Sequence, residues 1–189
     1  MRKYLLHVLI ISFVFLLTPT AHVASYAVDI EDAKEEVRKN PDDAEAHYNL
    51  GVAYYDSGKY EEAIKSFKQA IRIDPNIAGA HYNLGIAYGD LGKSKEAIES
   101  FKHAIRIDPD FALAHHGLGL AYYESGKYEE AIESSKQAIE IDPDQAFPHY
   151  LLGIASLALN DRDSALEQYK ILKKLDTGVA NLLFNSIYE

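Results

Sequence analysis

The sequence contains no cysteine. That absence excludes disulfides, thiolate metal sites, a cysteine nucleophile and a lipid-modified N-terminal cysteine. Cations are scarce as well: 19 Lys and Arg stand against 29 Asp and Glu in 189 residues, a formal net charge of -10. A protein that tracks phosphates needs a basic stripe, and none is present, so no nucleic-acid partner is expected. Nor is there an apolar run of the roughly 20 residues that a membrane-spanning helix needs. What remains, 48% hydrophobic and 25% charged, is the composition of a globular chain able to bury a core.

The first 27 residues differ from the rest. Arg2 and Lys3 come first, Leu5 to Leu17 is apolar apart from His7 and Ser12, and no acid appears before Asp29. This layout, with a 13-residue apolar core and small residues at Ser25 and Ala27, is that of an export signal, residues 1–27, cleaved at its end. An uncleaved anchor is the other reading, with Arg2 and Lys3 holding its start in the cytoplasm. A membrane partner is expected only in that second case. Both readings export the rest, to the periplasmic or extracellular side. Removing two cations and no acids leaves 17 against 29, a net charge of -12.

A fixed period fills the chain beyond this segment. His47-Tyr48-Asn49-Leu50-Gly51 recurs as His81-Tyr82-Asn83-Leu84-Gly85, as His115-His116-Gly117-Leu118-Gly119 and as His149-Tyr150-Leu151-Leu152-Gly153, each 34 residues on. Ala63, Ala97, Ala131 and Ala165 keep the same register, as do Asp74-Pro75, Asp108-Pro109 and Asp142-Pro143. Four units result: 44–77, 78–111, 112–145 and 146–179. Within the first, Leu50, Ala53 and Tyr54 follow helical spacing, Ser57-Gly58-Lys59 interrupts it, and Ala63, Ile64, Phe67, Ala70 and Ile71 resume it before Asp74-Pro75 stops the second helix. Each unit therefore reads as two antiparallel helices, with the small Gly51 and Ala63 columns letting them approach closely.

The spacing of Leu50-Gly51, Tyr54, Ala63, Phe67, Ala70 and Pro75, reproduced at Leu84-Gly85, Tyr88, Ala97, Phe101, Ala104 and Pro109, resembles the tetratricopeptide repeat. His47 and its equivalents stand where that family most often has Trp. Departures gather at the end: Ser135 replaces the aromatic in unit three, and unit four has Ser156 for Tyr, Asn160 for Gly and Thr177 for Pro. Residues 28–43 resemble the second helix of a degenerate preceding unit, and 180–189 the helix that closes such arrays. The resemblance implies an all-α, right-handed superhelical solenoid of helix-turn-helix units with a C-terminal capping helix.

Catalytic signals are missing. Gly117-Leu118-Gly119 lies inside a helix with no strand before it, and Ser, His and Asp occupy recurring structural columns, so no nucleophile and base stand out and no enzyme or cofactor is expected. Equivalent His atoms in successive units stand about 10 Å apart, too far to converge on one metal at the roughly 2 Å of a His–Zn bond, so the column of His47, His81, His115 and His149 is read as packing.

Binding has better grounds. The resemblance implies a concave groove lined by first helices, at Tyr48, Asn49, Val52 and Tyr55; Tyr82, Asn83, Ile86 and Gly89; His116, Gly117, Leu120 and Tyr123; and Tyr150, Leu151, Ile154 and Leu157. Tyr offers contact area with a polar tip, and Asn can pair with an extended backbone. No Lys or Arg occurs in any of the four first helices. Chaperone-docking members of the family hold a terminal carboxylate with such cations, and here only Asn83 matches that clamp. Glu45, Asp56, Asp90 and Glu124 bias the edge negative, so the expected ligand is a neutral to basic protein or extended peptide, with a hydrophobic anchor at the more apolar C-terminal end. The resemblance implies a non-catalytic scaffold or adaptor. A structural, self-assembling homo-oligomer joined through Phe147, Leu151, Leu182 and Phe184 is the competing class.

Overall fold

A computed structural model describes residues 29–188. The expected export signal, residues 1–27, lies outside them. Ten helices follow one another among the described residues: α1 (Ile30–Lys39), α2 (Ala44–Asp56), α3 (Tyr60–Ile73), α4 (Ala78–Asp90), α5 (Ser94–Ile107), α6 (Ala112–Glu124), α7 (Tyr128–Ile141), α8 (Ala146–Ala158), α9 (Arg162–Leu175) and α10 (Thr177–Tyr188). They pack as antiparallel pairs α2–α3, α4–α5, α6–α7 and α8–α9, and α3, α5 and α7 each also lie against the first helix of the next pair. The result is a right-handed all-α solenoid, with α1 against α2 at one end and α10 against α8 and α9 at the other.

Local chemistry sets each boundary. The turn inside each pair needs a residue in the left-handed region: Gly58, Gly92 and Gly126 hold φ of 72°, 69° and 73°, and in the fourth pair Asn160 holds 62°. Asn is among the few side chains that adopt this conformation readily, which is why the repeat tolerates its loss of glycine there. The second helices α3, α5 and α7 stop at Asp74, Asp108 and Asp142, which are extended ahead of a proline. Asp176 stops α9 in the same extended way, but Thr177 follows instead of proline. The Asp176 carboxylate then accepts from Val179 N at 3.0 Å and starts α10 at once. The closing helix expected from Ala180 therefore begins at Thr177.

The histidine column acts as a clamp between units. Nε2 of His47, His81, His115 and His149 lies 2.9, 3.0, 3.0 and 3.1 Å from the carbonyl oxygens of Pro41, Pro75, Pro109 and Pro143, always six residues upstream. An Nε2–H donates to each carbonyl, tying the start of a first helix to the end of the preceding second helix. The neutral ring is the form that burial favours at His81, whose pKa is lowered by desolvation and, to a lesser extent, by His103 and Arg106, with the Pro75 bond opposing. Pro41 joins the same pattern, which makes α1 the second helix of a preceding unit. Replacing buried His81 with Ala should destabilise the fold by about 1–3 kcal/mol in urea titrations, because the Pro75 carbonyl loses its donor.

Packing between units rests on a ring set against small residues. A Cβ on Gly51 would lie 2.5 Å from the Phe67 ring, and one on Gly85 2.8 Å from Phe101. Phe101 also presses on the next unit, where a Cβ on Gly117 would lie 2.7 Å away. Unit three reverses the arrangement. Ser135 takes the ring position and is fully buried, its hydroxyl donating to Ala131 O at 2.8 Å. Leu151, at the position equivalent to Gly117, reaches back toward α6, and a Cβ on Gly119 would lie 3.1 Å from its δ-methyl. The buried apolar residues accordingly fall into two large clusters, one centred on Phe67, Leu84 and Phe101, the other on Leu151, Leu172 and Leu183.

Candidate binding groove

The first helices α2, α4 and α6 carry the expected groove residues in a half-open row. The Tyr48 ring packs on Phe67 with centroids 5.9 Å apart, and Tyr82 sits between Phe101 at 5.9 Å and Phe111 at 5.0 Å. Val52, Ile86 and Tyr55 flank the first cluster, partly buried, and Leu120, Tyr123 and Leu157 flank the second. Asn49 is exposed.

Two hydrogen bonds join units one and two. Asn83 Nδ2 donates to the Tyr48 hydroxyl at 3.0 Å, and the Tyr55 hydroxyl donates to Asp90 Oδ2 at 2.6 Å. Both span 35 residues, one period plus one, so each joins a first-helix position to the residue one place beyond its equivalent in the next unit. Neither recurs between units two and three, where Gly117 stands opposite Tyr82 and Gly89 offers no hydroxyl. Asp90 as the Tyr55 partner is the contact that reading single units misses; comparing columns at an offset of 35 reveals it. Burial raises the Asp90 carboxyl above its ordinary range, with the Tyr55 bond opposing, and burial likewise raises Asp56. The phenols of Tyr55, Tyr82, Tyr123 and Tyr150 are all pushed up, chiefly by desolvation, so they serve as neutral donors.

His116 stands apart. The residue is only partly buried, but its Nδ1 is sealed from solvent with no hydrogen-bond partner, and burial draws its pKa down to about 4. In units one and two this column is a tyrosine resting on a phenylalanine ring; in unit three the ring partner is Ser135.

The fourth unit departs from expectation. Tyr150, Leu151 and Ile154 are 5%, 2% and 5% exposed, packed in one cluster with Val179, Leu183 and Ile187 of α10. The hydrophobic anchor expected at that end is therefore filled by the chain's own closing helix, and the apolar positions left open are Leu120, Tyr123 and Leu157. Sequence spacing puts these side chains on the groove face; it carries no information on how far α10 leans over α8.

Among the described residues, no group of three or more His, Asp or Glu could hold a metal ion. His81 and His103 do stack, at 5.2 Å and 13°. An open depression of about 300 Å³ lies between α2 and α3, lined by His47, Leu50, Tyr54, Glu62, Lys65, Ser66 and Gln69, and shares no residue with the groove.

Profiles described as TPR repeat match residues 53–92, 89–126 and 119–160, and a further tetratricopeptide repeat profile matches 33–65. The chain belongs to the tetratricopeptide repeat family. Its TPR solenoid is similar to the crystal structure of MamA, at 29% identity over 80% of this chain and 89% of that one, with a TM-score of 0.75. The MamA 41-end structure from Desulfovibrio magneticus RS-1 is similar at 27% identity, 79% and 84% coverage and a TM-score of 0.74. The first TPR of Spaghetti (RPAP3), bound to the HSP90 peptide SRMEEVD, aligns at 26% identity over 62% of this chain and 93% of that one, with a TM-score of 0.61. Comparison with the curated proteins finds no significant match.

Proposed function

We propose that this TPR chain is an exported, non-catalytic scaffold that holds a peptide or protein segment along the concave row of α2, α4 and α6. The observation that carries the reading is that Asn49, Val52, Ile86, Leu120 and Tyr123 stay partly or fully exposed on one row of helices, whereas Tyr150, Leu151 and Ile154 of α8 are covered. A peptide-bound structure among the similar folds supports the same use of the architecture. The export part rests on the composition of residues 1–27, and the neutral-to-basic partner on first helices that carry no Lys or Arg. In-cell crosslinking of the C-terminally tagged chain tests it, set beside an Asn49→Ala, Asn83→Ala, Tyr123→Ala variant. The expected result is a partner captured by the unaltered protein and lost, by about tenfold or more, with the variant. Equal capture by both would rule the groove out as the binding surface.

Self-assembly is the second reading, favoured by Leu182 and Phe184, each 41% exposed on α10. Leu151, expected in that surface from the sequence, is 2% exposed and unavailable to it. A concentration-dependent dimer in light scattering that Phe184→Asp abolishes would establish this reading; a monomer at all concentrations would dismiss it.

A further inference from the structure

We infer that the segment held in the groove is cationic where it crosses α2 and α4 and apolar where it reaches α6: an extended peptide that sets lysine or arginine against Asp56 and Asp90 and an aliphatic or aromatic side chain against Leu120 and Tyr123. This rests on the groove reading above.

A helix C-terminus carries partial negative charge and is stabilised by a cation in its last turn. The second helices α3 and α5 follow that rule with Arg72 and Arg106. First helices do the opposite: α2 and α4 end on Asp56 and Asp90, with no base in the last turn. Among the described residues no ion pair involves either carboxylate. The lysine that follows the turn after α4, Lys93, lies over the Tyr88 ring at 6.0 Å, on the side of that helix packed against α3, together with Lys68 at 5.5 Å. Asp90 is further tied into the groove wall by Tyr55, which fixes where its charge is presented. Two carboxylates thus stand at the negative ends of adjacent helices, Asp90 half-buried and Asp56 exposed, beside an apolar row. Fold stability alone would place a cation there, and a partner's cation supplies what the chain omits.

The opposite end is set by packing. Past Leu120 and Tyr123 the groove meets Tyr150, Leu151 and Ile154 of α8, which α10 has covered, and half-open Leu157, so an apolar residue is the last element the row can seat. Successive first helices lie about 10 Å apart, which an extended peptide crosses in about three residues. Cations three residues apart therefore meet Asp56 and Asp90 in turn, with the apolar residue about three positions beyond. The peptide in the Spaghetti structure, SRMEEVD, ends in acidic residues, the opposite charge pattern.

Selection of a randomised 12-residue peptide library displayed on phage, against the full chain, tests this. Enrichment of Lys or Arg at i and i+3 followed by an aliphatic or aromatic residue is expected. A synthesised winner should bind about tenfold more weakly to Asp56→Asn, Asp90→Asn, and more weakly again as salt rises from about 0.05 to about 0.5 M. The amides keep the size of both side chains and one still accepts from Tyr55, while two negative charges leave helix C-termini, so thermal melts of the variant should be no lower than those of the unaltered chain. Acidic winners, or winners with no charge bias whose binding Tyr123→Ala abolishes, would overturn the charge inference while leaving the groove reading standing. Winners indifferent to Asn49→Ala and Tyr123→Ala, or no enriched sequence at all, would overturn both.

Discussion

Making Ser135→Phe together with Leu151→Gly should cost less than the sum of the two changes made separately. Ser135→Phe alone drives a ring into space already held by Leu151 and is expected to cost about 1–3 kcal/mol. Leu151→Gly alone empties a position that is 2% exposed, costing about 2–5 kcal/mol for the lost side chain and about 1 more for glycine in a helix interior. Made together, the two changes rebuild the pairing of Phe101 with Gly117 one unit later, and the ring regains a glycine on both sides, Gly119 being the other. Urea denaturation of the four proteins should give a coupling of about 2 kcal/mol in favour of the double variant. Strictly additive losses would mean that Leu151 does not stand in for the missing phenylalanine.

Acid should weaken the fold through His116, and the unfolded chain supplies the reason. Above an ordinary pKa of 6.5 the imidazole is neutral in both states and contributes nothing. As pH falls from 6.5 to about 4, the unfolded chain takes up a proton that the folded one, with its Nδ1 sealed and unpartnered, refuses. Stability therefore declines across that window by up to about 3 kcal/mol and levels off below it. His81, also lowered by burial, adds in the same direction. Asp56 and Asp90 act with the opposite sign, because carboxyls raised by burial are relieved when they protonate. Subtracting the pH profile of a His116→Tyr variant isolates the one residue. Tyrosine is what the other three units carry there and it stays neutral throughout. The two profiles should coincide above pH 7 and diverge below 6.5, with the variant more stable. Superimposable profiles would show that Nδ1 finds a partner.

Much of this architecture is legible from the chain alone, for a physical reason: a 34-residue period fixes which columns are small, which are large and where each helix must turn. The Gly58 turn predicts the Asn160 turn because both need a left-handed residue. The histidine clamp is within reach too, since each histidine follows a proline by a constant six residues, although its carbonyl partner appears only once the turn is folded. What a single unit cannot reveal is contact between units. The Tyr48–Asn83 and Tyr55–Asp90 bonds require superposing one repeat on the next, and the reversal at Ser135 and Leu151 requires seeing that a hole and a protrusion meet. Least legible is the fourth segment of the groove. Whether Tyr150 and Ile154 face a ligand or the chain's own end depends on the start of α10, which shifts to Thr177 once proline is absent after Asp176.

The central claim is that the concave row of first helices is the working surface. A photo-activated crosslinking residue placed at Asn49, exposed on α2, and separately at Lys136, exposed on the second helix α7, tests it in cells most directly. Irradiation should yield a discrete adduct with another protein from position 49 and none from position 136. Adducts of equal yield from both, or a product from position 49 that contains only a second copy of this chain, would contradict that claim.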